Sequence, residues 1–502
     1  MASVSIIQRN MQSKLILDKP GDNLDNKHLA KLIVYLINDF KTKKPYLFPE
    51  RNVEGKIGPK FQNDLTEMLG LHVFATFRLQ RTCRKIESFL SDQSEACKYI
   101  TNNTFPKKSK INQFKNEYEY LINELLKYTV EFGADFNLVD FEVVSIDSTT
   151  VEASVEEYRS LNYNQVCFLE NLLKRYGKSK GKKSIWKKLR GFFYKNELTD
   201  KIADLVEDIY RKLNKHGRDL LIVALKSKKA CGEILEFIEV LKANCAEGKR
   251  VNLTDPKTRR VLMKKGKVRF GYLIQTVSDA KTGFIIMQNV VEEQTDANQI
   301  IPAIDYIQET YGKTPEYILA DNGYYKIEAL EYAFSNGITP IIPDRSTSMK
   351  NNGTNSYDPF AKHNMPFDIE NNHFSCPYNQ NLKPTGKTKE INGVLNNEYS
   401  TLKCPECPYH DQCAKSQKYR KLYEPVNPVF IKEKRIFNST IGKRLYKLRP
   451  IISEGNFANI KSHQEFTKSR RIGQQKVDID LKLEAIVINI KKIAKHLKVT
   501  FI

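Results

Sequence analysis

Apolar positions change their spacing along the chain, and each change marks an element. Between Lys27 and Asp135 they recur at helical intervals, with Leu29, Leu32, Ile33, Leu36 and Ile37 on one face and Leu65, Met68 and Leu69 on another, as amphipathic helices require. At Val143, Val144 and Ile146 the pattern becomes β-branched and reads as a strand running into Asp147. Helical spacing returns from Glu197 to about Ala246, where Ile202, Leu205, Val206, Ile209 and Leu213 share a side. Thr254-Asp255-Pro256 closes that stretch, with Asp255 a pre-proline turn or cap. Two β-rich runs, Val268 to Ser278 and Gly283 to Val291, then flank Asp279-Ala-Lys-Thr-Gly and predict a hairpin. Thr295-Asp296 is placed to cap a helix carrying Ile300, Ile304 and Ile307.

The stretch from Pro315 to Pro343 predicts strand, helix and strand. Tyr317 to Ala320 form a short buried run, Asn322-Gly323 breaks it directly after Asp321, and Ile327, Leu330 and Phe334 follow helical spacing. Asn336-Gly337 ends the helix, and Ile338 to Ile342 form the second run. Such a unit makes a parallel pair, and chemistry gathers at the carboxyl ends of parallel strands. Asp321 and Asp147 both stand at such ends, so both are site candidates. The plainer alternatives are an Asp-Asn-Gly turn at Asp321 and an aspartate satisfied by Ser148, Thr149 and Thr150 at Asp147. The order strand, insertion, hairpin, helix, strand, helix, strand matches an RNase H-like core.

The expected fold class is therefore α/β: an RNase H-like mixed sheet core with an N-terminal helical domain, a helical insertion and a Cys-rich insertion. The boundaries read as 1–136 for the helical, DNA-binding domain and 137–343 for the first part of the core, with a basic helical insertion over about 154–253. Residues 344–440 form the Cys-rich insertion, and 441–502 hold the C-terminal helices of the core.

Charge changes the picture most. Among 502 residues, 81 Lys and Arg against 59 acids give a formal net charge of +22, which predicts a polyanionic partner, above all nucleic acid. Arg78, Arg81, Arg84 and Lys85 recur at helical spacing and are candidate DNA contacts, or a solvated face. Residues 174–195 hold ten Lys or Arg and no acid, interleaved with Tyr176, Trp186, Phe192, Phe193 and Tyr194. Cations for phosphates and rings for stacking suit a nucleic-acid track, so Lys182, Lys183 and Lys187 are DNA-binding candidates, against the plainer reading of a flexible basic loop. No apolar run is long enough to span a bilayer, and no signal-peptide core is present, which points to a cytoplasmic, nucleoid-associated protein without a membrane partner.

Residues 344–440 are rich in Asn, Pro, Lys and Tyr and hold four of the nine cysteines, Cys376, Cys404, Cys407 and Cys413. Cys404-Pro-Glu-Cys407 is a knuckle of zinc-site type, and with Cys413 and Cys376 it can close a tetrahedral structural Zn2+ site. His363, His373 or His410 could replace a thiolate. A redox Cys-x-x-Cys lacks the flanking strand and helix it needs.

The last segment supplies a third acid. Glu454 and Lys461 are seven residues apart, about two helical turns, and so share a face. A basic cluster with Arg470 and Arg471 follows, then a closing amphipathic helix whose polar face includes Lys491, Lys492 and Lys495.

Taken in order, IDSTTVEA, TDP, FGYLIQTVSD, ADNGYY, the Cys-rich stretch, EGNFANIK and NIKKI make the chain resemble the DDE transposases of bacterial insertion sequences, most of all the branch whose first motif reads Asp-Gly-Thr or Asp-Ser-Thr. The resemblance runs from about residue 55 to the C-terminus. It implies Asp147, Asp321 and Glu454 as catalytic ligands of Mg2+, or Mn2+ in its place, and Tyr446, Arg449 and Lys461 as DNA-phosphate contacts. It implies cleavage at the terminal inverted repeats of a mobile element, strand transfer to double-stranded target DNA, and a homodimer on DNA. Alternatives are a catalytically inactive DNA-binding descendant and an RNase H-like nuclease. Three features depart from the family pattern. Arg449 lies five residues before Glu454 where some groups have four, Arg471-Ile472-Gly473 only loosely matches an Arg-Gly, and Ser148 replaces the commoner glycine.

Overall fold

The computed structural model describes residues 24–49, 64–92, 95–176, 228–263, 266–292, 298–354 and 357–500. The Thr295-Asp296 cap and the basic track with Lys182, Lys183 and Lys187 lie outside the described residues.

A ten-residue strand, β1 (Val143–Glu152), is the axis of a six-stranded sheet. Two short strands, β2 (Ser160–Asn162) and β3 (Arg250–Asn252), pair with each other beside it. The sheet continues with β4 (Arg259–Leu262), β5 (Val268–Asp279) and β6 (Ile285–Val291), then β7 (Tyr317–Leu319) and β8 (Thr339–Ile341). β5 runs antiparallel to β1 on one side, while β7 and then β8 run parallel to it on the other. β6 and β4 share the outer edge of β5. Gly271 allows the crowding where β1, β4 and β5 meet: a Cβ there would stand 2.5 Å from the Val151 carbonyl oxygen.

Helices Ile300–Tyr311 and Ile327–Ser335 make the connections into β7 and β8 that parallel pairing demands. The helices before residue 136 do not form a separate core. Leu36, Phe40 and Tyr128 belong to one buried cluster with Ile146, Phe284 and, from the final helix Gln474–Leu497, Ile486 and Ile490. The two ends of the described chain meet there, with Leu29 N donating to Thr500 O at 3.2 Å.

Burial corrects two readings of surface charge. Arg81 is not on an open basic stripe: its Nε donates to Glu484 at 2.5 Å, a second nitrogen reaches the Gln464 carbonyl, and both side chains of the pair are almost fully enclosed. Lys492 is likewise not on a polar face. Its ammonium is enclosed and donates to Gly283 O and to Asn456 Oδ1, and burial pulls its pKa down to about 7. Periodicity alone cannot find such residues, because a long cationic side chain on the edge of an apolar stripe has the same spacing whether it reaches water or a buried acceptor.

The Cys-rich stretch also has more order than its composition implies. It forms a five-stranded antiparallel sheet of β9 (Phe367–Asp368), β10 (His373–Ser375), β11 (Asn381–Ile391), β12 (Val394–Ser400) and β13 (Leu422–Pro425). A small core of Met365, Phe374, Leu382, Tyr399 and Leu422 sits on it. In the other insertion, helices Tyr163–Tyr176 and Lys228–Ala243 pack around Val166, Ile238 and Leu241. No helix among the described residues is long and apolar enough to cross a membrane.

Candidate active site

The register of two parallel strands brings the two aspartates together. Val144 pairs with Ile318 and Ser145 with Leu319, so Asp147 and Asp321 each stand two residues beyond the last pair. Side chains alternate along a strand, so both point to the face that Ser145 and Leu319 share. Two like charges so placed need a counter-charge. Arg449 supplies it, with Nη2 2.8 Å from Asp147 Oδ2 and 3.4 Å from Asp321 Oδ2. Each carboxylate uses its other oxygen on a nearby backbone N–H: Ser148 N donates to Asp147 Oδ1 at 2.8 Å, and Gly323 N donates to Asp321 Oδ1 at 2.8 Å.

Arg449 is carried by the helix Leu448–Ala458, whose buried side includes Ile452, Ser453 and Asn456. Ser453 Oγ lies 3.0 Å from Ser145 Oγ. One helical turn, Arg449 to Ser453, thus spans the same distance as two strand residues, Asp147 to Ser145, and the helix runs antiparallel to β1. Small residues make this approach close: Ser145 pairs with Ser278 across β1 and β5. Asn456 Nδ2 donates to Ser278 Oγ and to the Gly283 carbonyl, both at 2.9 Å. Burial works against the Arg449 charge, yet the Asp147 and Asp321 carboxylates hold its pKa above the ordinary value.

A second device ties the two aspartate-bearing segments. Gln275 on β5 is fully buried, and its Nε2 donates to the Asp147 carbonyl at 3.0 Å and to Tyr324 Oη at 2.8 Å. Tyr324, also fully buried, belongs to the turn that begins at Asp321. Sequence reasoning gave Gln275 no role. Its one signal was an amide inside the apolar run of β5, where only a bonded polar group is tolerated.

The other expected residues are placed differently. Glu454 is exposed. Five residues from Arg449 amount to about 140° around an ideal helix, so Glu454 stands off the face that meets the sheet. Among the described residues no group of three or more His, Cys, Asp or Glu side chains is gathered to hold a metal ion, and the structure does not bring Glu454 to the aspartate pair. Lys461 does not share one continuous α-helix with Glu454, because a π-helical turn, Asn459–His463, follows Ala458. Tyr446 packs edge-on to Phe437 at 5.0 Å, and burial raises its pKa beside Arg449 and the two aspartates. Arg470 is exposed. Arg471 Nε donates to Asp480 at 3.1 Å and Nη2 to the Lys476 carbonyl at 2.6 Å. Asp255 is a structural anchor, its Oδ2 accepting from Gly473 N at 2.8 Å and from Tyr272.

Cys376, Cys404, Cys407 and Cys413 line one cavity of about 30 Å3, with His410 and Arg420. Cys407 N donates to Cys404 O at 3.1 Å, closing the knuckle, and burial raises the Cys413 thiol pKa. Of the three histidines considered, His410 lines this cavity, whereas His363 Nε2 is 2.6 Å from Thr354 O.

Residues 375–494 match the family model described as Transposase DDE domain. The matched stretch holds the four cavity cysteines, Arg449 and Glu454, and begins after both aspartates. No curated protein and no solved structure matches the chain. Over those residues the chain is thus similar to a transposase DDE domain.

Proposed function

We propose, from the transposase DDE domain at residues 375–494, that this chain cuts DNA at the ends of a mobile element of insertion-sequence type and joins those ends to target DNA. The observation that carries the reading is the pairing of Asp147 and Asp321 in matching register across the domain's Arg449. The strand order supports an RNase H-like core, since the central β1 has an antiparallel neighbour on one side and parallel neighbours on the other.

The donor set fits a hard divalent cation such as Mg2+, with Mn2+ as substitute, because both groups are carboxylates with an oxygen turned to a shared point. Such an ion, when bound, neutralises charge on the reacting phosphate and aligns attacking and leaving oxygens. Asp147 and Asp321 would hold it. Glu454, exposed on the helix that carries Arg449, would complete the set. Arg449 and Tyr446, beside the pair, would bind the phosphate next to the scissile bond, and Lys461 and Arg470 would bind phosphates further along. Arg471 would position this segment through Asp480. The net charge of +22 supports a DNA partner. A homodimer on the two element ends, in the nucleoid, follows from the same reading. Cys376, Cys404, Cys407 and Cys413 line one cavity but are not gathered to hold a metal ion in this structure, so a structural zinc there rests on the Cys-x-x-Cys spacing alone.

The exposure of Glu454 favours a second reading, an inactive DNA-binding descendant. One assay separates the two: nicking and strand transfer on labelled element-end DNA, with Mg2+ or EDTA, for wild type, Asp147→Asn, Asp321→Asn and Glu454→Gln. Metal-dependent cleavage lost in all three variants supports the transposase. DNA binding without cleavage in wild type supports the descendant, and cleavage without joining supports a nuclease.

A further inference from the structure

We infer that Arg449 occupies the position a divalent cation would take between Asp147 and Asp321, so that metal loads only after a DNA phosphate draws the guanidinium away. The inference rests on the proposed reading of the aspartates as metal ligands and adds the coupling between DNA docking and metal binding.

The geometry gives three reasons. The first is that one nitrogen, Nη2, serves both carboxylates at 2.8 and 3.4 Å. A cation that used those two Oδ2 atoms would lie within contact distance of a guanidinium, in a setting where the Arg449 and Asp147 side chains are only 15% and 14% exposed. Two positive groups cannot share that point, so one must leave. The second is that Arg449 is only partly satisfied where it lies. Its Nε is buried without a hydrogen-bond acceptor among the described residues, and a phosphate oxygen is the group best matched to an open guanidinium donor. The third is the route out. Arg449 sits in the first turn of its helix, so its side chain can swing without unwinding the helix. Exposed Lys443, Arg444 and Lys447 just before it form a cationic approach on which a DNA backbone would arrive.

Linkage then fixes what must be observed. If phosphate removes the competitor, DNA tightens metal binding, and metal tightens DNA binding by the same factor. The test is Mn2+ binding to the full chain, followed by electron paramagnetic resonance of the free ion. It compares wild type, Arg449→Gln, Arg449→Lys and Asp147→Asn, each with and without a short random-sequence duplex, after circular dichroism has shown that each variant is folded. Without DNA, Arg449→Gln binds Mn2+ at least about tenfold more tightly than wild type, while Arg449→Lys, which keeps the charge, stays near wild type. DNA tightens binding to wild type and changes it little for Arg449→Gln. Equal or weaker binding by Arg449→Gln overturns the inference, as does an equal gain for Arg449→Lys or no effect of DNA on wild type. Binding untouched by Asp147→Asn overturns it together with the reading of the aspartates as ligands, which separates the two failures.

Discussion

Replacing Gln275 by Leu tests whether the amide holds the two aspartate segments together. The side chain is fully buried, and leucine, though it branches one carbon earlier, is of similar volume, so the change in packing is small beside the change in polarity. What changes is polar: the Asp147 carbonyl loses a 3.0 Å donor, and the Tyr324 hydroxyl loses the amide 2.8 Å away. A buried polar group deprived of its partner costs about 1–3 kcal/mol. With two such groups affected, Gln275→Leu should destabilise by about 2–4 kcal/mol. Tyr324→Phe removes the hydroxyl itself and should cost about 1–2 kcal/mol through the amide it leaves behind. The double variant is the decisive one, because once both polar ends are gone neither is stranded. Its cost should fall below the sum of the singles by about 1–2 kcal/mol. Urea unfolding followed by circular dichroism gives all three values, and activity on element-end DNA should fall with Gln275→Leu even at temperatures where the variant is folded. Additivity within about 0.5 kcal/mol would refute the argument. The pair would then be two independent core residues with no role in holding Asp147 against Asp321.

Other consequences follow from the same contacts. Arg81→Leu strands the buried Glu484 carboxylate and should cost about 3–5 kcal/mol, whereas Arg81→Leu with Glu484→Leu should recover most of it; equal costs in urea unfolding would show that the pair is not coupled. Glu433 accepts from Ile342 N at 3.1 Å, and burial pushes its carboxyl up to about 8. A carboxyl whose folded pKa lies above its unfolded value stabilises the protein at low pH and loses that contribution as pH rises through the folded pKa. Wild type should therefore lose stability relative to Glu433→Gln between about pH 4 and pH 8, and parallel melting curves across that window would contradict the assignment. If the four cavity cysteines hold zinc, protein purified without chelator should release it to a colorimetric chelator after thiol modification, and Cys404→Ser should lower both zinc content and melting temperature. Zinc-free wild type with intact stability would remove that site.

Much of the sheet was legible in the chain because strand signals are local. Asn322-Gly323 and Asn336-Gly337 punctuate β7, its following helix and β8, and the Asp279 to Gly283 turn marks the β5–β6 hairpin. The candidacy of Asp321 needed only its place at the end of β7, whereas Asp147, expected at a strand end, stands in the middle of β1, because the Ser-Thr-Thr run that reads as a polar turn continues the ladder with β5. Local patterning could not supply the five-stranded sheet of the Cys-rich stretch, where β11 is almost wholly exposed and so carries no alternation to read. Nor could it tell a cation that reaches water from one that is enclosed, as Arg81 and Lys492 are.

Residue type and spacing alone determined the order of the elements, the net charge that points to a polyanion, and the acids and thiols available for chemistry. Tertiary structure alone decided which of them meet. Parallel register set Asp147 beside Asp321, and a serine-lined approach let the Leu448–Ala458 helix lay Arg449 between them. The turn of that helix left Glu454 facing outward. The reason is geometric: a sequence fixes angles along one strand or one helix, but the rotation of a helix on a sheet is set by the side chains of both, Ser453 on Ser145 and Asn456 on Ser278, which lie 308 and 178 positions apart in the chain.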